Sequence, residues 1–232
     1  MIKKVFLLSI LLASFAISPA ANADRIAVIG TGNVGAALGP EFAALGHSIV
    51  YGSRDPSRDE VQALIDRTGG DATAAAPAAS VINADIVLLA VPGRLAESIT
   101  RDLGDLSGKI IIDPTNNYFR DGVPRLAGET SNAELVQAAA PDAFVVKAFN
   151  TLNWRHMVDP ESSGGPVTIP LAGDDDAAKA KVAEIVAGMG LEPVDVGPIQ
   201  NARHVEGMLV LWMHARMNGS AFNFHLRPEP SE

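Results

Sequence analysis

Cysteine is absent from all 232 positions, which removes disulfides, thiolate nucleophiles and cysteine-ligated metals in one step. Stability must then come from the core alone. Histidine is scarce, and the five present, His47, His156, His204, His214 and His225, show no H-E-x-x-H or comparable ligand spacing. They give a metal site no support, and structural or surface roles are expected for all five. No nucleophile elbow occurs, so no catalytic side-chain triad is expected. Nor is there an apolar run long enough to span a bilayer, because the stretch Val5 to Ile17 has 13 residues where roughly 20 are needed.

That stretch has another meaning. Lys3 and Lys4 precede it, and Ser18, Pro19 and Ala21-Asn22-Ala23 follow, the pattern of a secretory signal peptide over residues 1–23 with cleavage after Ala23. The expected mature chain is 24–232, periplasmic or secreted and without stable membrane insertion; an unprocessed chain would be cytoplasmic. Twin arginines, the mark of prefolded export, are missing. The formal net charge is −9, and cleavage would remove two of the 18 basic residues and none of the 27 acidic ones. So acidic a chain is a poor nucleic-acid binder.

With 47% hydrophobic and 19% charged residues, the chain reads as one globular unit. Arg25–Ile29 is a short apolar run that reads as a buried parallel strand. A helix is expected from Val34 to Leu45, a strand over Ile49–Tyr51 and a helix over Arg58–Arg67. Asp71–Ser80 is ambiguous. Ile86–Val91 and Lys109–Asp113 read as central strands. Helix Ala133–Ala140, strand Phe144–Lys147, strand Val167–Leu171, helix Asp175–Met189 and strand Val194–Val196 continue the alternation. The fold class is therefore α/β, a Rossmann-type doubly wound, mostly parallel sheet. No linker divides it, although Asp159–Gly165 is a loop. A last helix, Asn201–Met217, is apolar nearly all round and is expected to be buried, either sealing the core or forming a homodimer interface.

Chemistry enters with Gly30-Thr31-Gly32-Asn33-Val34-Gly35, a G-x-G-x-x-G between a strand and a helix. In that setting Gly30 permits the tight turn, Gly32 lets backbone approach a pyrophosphate, and Gly35 lets helix and sheet pack closely. The free N–H groups at the helix start face an anion. Where an NAD site would carry an acidic residue at the end of the second strand, this chain has Tyr51-Gly52-Ser53-Arg54. A hydroxyl and a guanidinium suit a 2′-phosphate, so NADP is favoured. Arg58 either closes over the same phosphate or is a solvated side chain, and Asp55 argues against a strongly electropositive pocket.

Ala90-Val91-Pro92-Gly93 ends a central strand where open α/β sheets bind ligands, with Pro92 turning the backbone towards the nicotinamide. Lys147-Ala148-Phe149-Asn150-Thr151 ends a later strand at the same edge, and the Asn150 amide could meet the nicotinamide carboxamide. Lys147 is either catalytic or structural, the second being the commoner use of a lysine at a strand end.

Together GTGNVG, GSR, the strand ending AVP, KAFNT, LAGDDDAAK and DVGPIQNARHVEGMLVLW resemble the NADPH-dependent reductases of the deazaflavin coenzyme F420, from Arg25 to about Met217. The reductase domain of the STEAP metalloreductases is similar and shares the KAFNT segment. The resemblance implies NADP contacts at Thr31, Gly32, Asn33 and Val34, with Ser53, Arg54 and Arg58 around the 2′-phosphate and Ala90, Pro92 and Ala148 near the nicotinamide. It also implies direct hydride passage to a second ring stacked on the nicotinamide, with proximity supplying the catalysis. The family commonly carries a bulky residue after the strand-ending proline. Here Gly93 and Arg94 follow, which would alter the second-ring pocket.

Three readings stay open. The first is hydride transfer to a small-molecule redox acceptor, a coenzyme F420-type deazaflavin or a flavin. The second is an NADP-dependent imine reductase, since the amino-terminal part also resembles the pyrroline-5-carboxylate reductase fold. The third is a non-catalytic NADP-binding sensor. The short segment after Gly197 fits the compact deazaflavin-type architecture better than the long helical domain of the imine reductases.

Overall fold

The computed structural model describes residues 23–117, 119–120, 123–124 and 129–227. Nearly all of the signal-like segment therefore lies outside the described residues. Strands β1 (Arg25–Ile29), β2 (Ser48–Gly52), β3 (Thr73–Ala75), β4 (Ile86–Leu89), β5 (Ile110–Asp113) and, later in the chain, Phe144–Lys147 form one sheet, all parallel. Two short strands, β6 (Phe119–Arg120) and β7 (Val123–Pro124), pair antiparallel apart from it, and Phe144–Lys147 is β8. The strand order is β3-β2-β1-β4-β5-β8. The chain winds outward from β1 to β3, then returns to build β4, β5 and β8 on the other side. The switch point therefore falls between the carboxyl ends of β1 and β4.

Helices α1 (Asn33–Ala44), α2 (Asp59–Thr68), α3 (Pro77–Ser80), α4 (Ala96–Asp102) and α5 (Asn132–Ala139) are the crossovers and connections. They cover both faces, which is why the central strands are apolar without a break. Alternation along β1 sorts the core in two: Ile26 and Val28 pack with Leu38 and Phe42 of α1, whereas Ala27 and Ile29 pack with Ala96 of α4 and Val136 of α5. The ambiguous stretch after Asp71 resolves into edge strand β3 and the single turn α3.

Beyond β8, the short helix α6 (Trp154–Val158), strand β9 (Thr168–Leu171), helix α7 (Asp176–Gly188) and strand β10 (Glu192–Asp195) follow. β9 and β10 are parallel to each other, and an antiparallel bridge from Lys147 to Ala172 joins them to the main sheet. The sequence gives α6 no signal because it is one turn, started by the Asn153 side chain accepting the Arg155 N–H at 3.1 Å.

Helix α8 (Ala202–Met217) is half-buried, which corrects the expectation of all-round burial. Ala202, Val205, Glu206 and Val210 are enclosed, while Leu211 and Met217 are 62% and 71% exposed. Its apolar residues exceed the surface that α5 and the loop after β5 offer. What anchors the helix is polar: Arg203 donates two bonds to the Glu134 carboxylate at 2.6 and 2.8 Å, the bidentate pairing that holds strongest. Burial pushes Glu134 up, but the Arg203 guanidinium and the Ser131 donors outweigh it and hold the carboxyl below its ordinary range.

Candidate functional site

The glycine loop behaves as its spacing requires. Gly30 has φ +101, and a Cβ there would lie 2.3 Å from the Ala90 carbonyl oxygen, so the loop is pressed against the end of β4. A Cβ on Gly35 would lie 2.0 Å from the Gly30 carbonyl oxygen, which fixes how closely α1 packs on β1. At Gly32 a Cβ would meet nothing within 4 Å. Of the three, Gly32 alone faces open space, and it is the N-cap of α1, with no side chain capping the helix and no acid in its first turn. The amides of Asn33 and Val34 are left for an external anion, so this cradle fits a dinucleotide pyrophosphate.

The Gly30 N–H donates to the Gly52 carbonyl at 3.0 Å, bringing the end of β2 alongside. Arg54 is exposed and forms no ion pair among the described residues. Arg58 is engaged, weakly, with Glu60 at 3.5 Å. Ser53 is buried, and its hydroxyl donates to the Asp55 carbonyl at 3.0 Å, so its proton is spent in a local turn and it meets a phosphate only by giving up that bond. Asp55 turns away to Ser57, whose hydroxyl and N–H hold its carboxyl below the usual range. The free positive charge at this corner is thus that of Arg54.

On the other side of the switch point, Val91, Pro92, Gly93, Arg94, Pro114, Thr115 and Asn116 line a cavity of about 310 Å³. Gly93 opens a short 3-10 turn, Gly93–Leu95. At Gly93, where the sequence leads one to expect an altered pocket, a Cβ would lie 2.2 Å from the Asn116 carbonyl oxygen and 2.8 Å from Asn132 Nδ2. The glycine is a contact point between two walls. Arg94 is the single charged residue of the lining among the described residues.

Ala148 is fully buried, its methyl enclosed in the core and away from the cavity. Asn150 is a step behind the wall: Nδ2 donates to Asn116 Oδ1 at 2.9 Å and to the Val205 carbonyl at 3.2 Å, and its Oδ1 is buried with no partner among the described residues. An orphaned acceptor at this edge fits an amide donor such as a carboxamide. Phe149, which precedes it, has φ +61. For an aromatic residue this left-handed conformation costs roughly 1–3 kcal/mol, and packing against Phe42, with ring centroids 6.3 Å apart, holds it.

Sequence reasoning missed the centre of the polar structure here. Asp113 and Lys147 are register neighbours on β5 and β8, and both are fully buried with Nζ 2.7 Å from Asp113 Oδ2. Glu206 of α8 reaches the same Nζ at 2.7 Å. Burial pushes the Lys147 ammonium down, but Asp113 and Glu206 outweigh it and raise it. Burial raises Glu206, with Lys147 opposing and Asp113 adding to the rise. The available signals were the lysine at the end of β8 and a lone acid inside the apolar run His204–Trp212. A larger open groove of about 780 Å³ lies where β8 begins, beside Glu134, Gln137 and Asp174. It touches none of the residues marked by the sequence.

Fold and site define an α/β protein with the glycine loop and open helix N-terminus of a dinucleotide-binding domain. Residues 25–117 match the family described as NADP oxidoreductase, coenzyme F420-dependent. A crystal structure assigned as an F420-dependent NADP-reductase, from Arthrobacter sp. FB24, is 32% identical, covers 89% of this chain and 100% of its own, and superposes with a TM-score of 0.80. The chain belongs to this family of NADP oxidoreductases. The metalloreductase STEAP3 of Rattus norvegicus is 30% identical over 190 residues, 81% of this chain, and STEAP2 of Homo sapiens is 26% identical over 186 residues, 79% of the chain. The chain spans 36% and 35% of those two proteins. A reductive aminase from Aspergillus terreus in complex with NADPH shares the fold, with a TM-score of 0.64 at 17% identity over 85% of this chain and 63% of its own.

Proposed function

We propose that this protein binds NADP(H) across the carboxyl edge of the sheet and passes hydride between it and a planar acceptor of the deazaflavin or flavin class. The observation that carries the reading is Gly32, open to approach where its two companion glycines are closed by packing, on a helix whose N-terminus no side chain caps. The nicotinamide, when bound, supplies the hydride chemistry. The chain's own residues bind and orient. The amides of Asn33 and Val34 take the pyrophosphate and Arg54 the 2′-phosphate. Ala90, Val91 and Pro92 form the floor at the switch point. Asn150 offers an acceptor to a carboxamide. Gly93, Thr115 and Asn116 bound the space for the acceptor, and Arg94 gives it one positive charge.

Acid–base residues have no part in this reading, because a hydride moving directly between two stacked rings needs proximity and orientation above all. The test is NADPH oxidation at steady state with 5-deazaflavin, flavin, quinone and cyclic imine acceptors. Turnover with deazaflavin or flavin is expected. Turnover confined to imines would favour the imine reductase, and NADPH binding without any turnover would favour a cofactor sensor. Export is proposed as well, with maturation after Ala23. An intact Met1 in soluble cytoplasmic protein from the native host, read by mass spectrometry, would refute it.

A further inference from the structure

The buried Lys147 ammonium is enclosed by its partners: it donates to Asp113 Oδ2 at 2.7 Å and to the Thr115 carbonyl, and it forms an ion pair with Glu206 Oε1 at 2.7 Å. The carboxylates are committed as well. Asp113 accepts the Thr115 N–H at 2.8 Å, and Glu206 accepts the N–H groups of Asn117 and Asn132, each at 2.9 Å. A lysine so enclosed is closed off from a ligand. It holds backbone instead, and the backbone it holds lines or adjoins the cavity.

The same cluster reaches the opposite wall. Asn132, whose N–H Glu206 fixes, sends its side-chain amide to the Gly93 carbonyl at 3.0 Å and to Thr115 Oγ1 at 2.8 Å. Gly93 in turn fits against the Asn116 carbonyl with no room for a Cβ. Both sides of the acceptor space therefore lead back to one residue of α8. The glycine loop, Ser53 and Arg54 share no hydrogen bond with this cluster among the described residues.

We propose that Glu206 is a positioning residue: through Lys147 and the amides of Asn117 and Asn132 it sets the separation of the Gly93 and Thr115–Asn116 walls, so that α8 governs acceptor binding without touching the acceptor. This rests on the reading of the cavity as the acceptor site. It predicts a split between the two substrates, which general loss of packing does not produce.

Glu206→Gln keeps the size and removes the charge that answers Lys147. In this variant of the full chain, NADPH Kd should stay within about twofold, as for independent sites. The KM for 5-deazariboflavin or FMN should rise about tenfold, with kcat less affected, because the walls that contact the acceptor shift and binding common to ground and transition state is lost. Amide hydrogen exchange should quicken over 114–117 and not over 26–35. Unchanged KM and unchanged exchange would overturn the proposal. So would NADPH Kd weakening in step with KM while exchange quickens throughout, since that is a merely structural effect. If the parent turns over no acceptor, the functional reading fails by itself, and the exchange pattern still decides whether Glu206 sets the wall. Should Glu206→Gln not fold, Asn132→Ala cuts the clamp between Gly93 and Thr115 and leaves the buried charges whole. The same split is expected there, and an unchanged acceptor KM would overturn the proposal.

Discussion

A Cβ placed on Gly93 would stand 2.2 Å from the carbonyl oxygen of Asn116, a separation no real side chain tolerates. Gly93→Ala should therefore move backbone. Overpacking of this kind costs about 1–3 kcal/mol, and the displaced atoms are the acceptor wall. The expected outcome is a lower Tm and a loss of acceptor turnover, with NADPH Kd unchanged because the phosphate contacts lie at β1 and β2. Scanning calorimetry, turnover and NADPH titration on one preparation check it, and full turnover in the alanine variant would refute the contact.

Arg54 and Arg58 should separate in their effect on cofactor choice. Charge-assisted hydrogen bonds contribute about 1.5–3 kcal/mol, so Arg54→Ala should remove most of the preference for NADPH over NADH. Arg58→Ala should do less, its guanidinium being shared with Glu60 at 3.5 Å and well exposed. Titration of both cofactors against both variants distinguishes the two. Equal affinity for NADPH and NADH in the parent would refute the assignment of Arg54.

Among the described residues Arg94 is the one charge lining the proposed acceptor cavity, and an acceptor bearing an anionic group should exploit it. FMN is then expected to outperform riboflavin. Arg94→Gln should lower kcat/KM for FMN about three- to tenfold, a modest effect because the side chain is exposed to screening, and leave riboflavin unaffected. Identical ratios in parent and variant would show that the charge is irrelevant to the acceptor.

His47 links stability to pH. Burial lowers its pKa from the ordinary 6.5, Asp24 opposes this and Lys181 adds to it, and Nδ1 accepts the Asp24 N–H at 3.2 Å, a bond the neutral ring makes. The folded state thus resists protonation. Its contribution is present above the unfolded value of 6.5 and is lost as pH falls below that through the folded value. Tm should decline from about pH 7 to about pH 5, and His47→Gln should flatten that decline. Parallel curves for parent and variant would refute the assignment.

Much of the fold was legible because its carriers are local. The β1–glycine–α1 unit, the strand Ile86–Leu89 and the parallel order follow from apolar runs and from which turns demand glycine. The corner residues Ser53 and Arg54 were legible by position, but the turn that uses up the Ser53 hydroxyl was not. The polar centre was invisible for a different reason. Asp113, Lys147 and Glu206 are each one charge in an apolar neighbourhood, and only the pairing of β5 with β8 and the docking of α8 turn them into partners. Gly93 was legible as a departure at the pocket but not as a seam, because the Asn116 carbonyl that meets it is brought there by tertiary contact.

The bond from Asn117 to Glu206 spans 89 residues, whereas Gly30 and Gly52, which bring β1 and β2 together at the cofactor corner, are near neighbours in the chain. Closing so long a loop costs about 4 kcal/mol of chain entropy on the logarithmic scaling alone. The two halves of the edge therefore differ in how local they are: the β1–β2 corner is built from segments close in sequence, whereas the Thr115–Asn117 wall takes its place only through a contact made by the last helix.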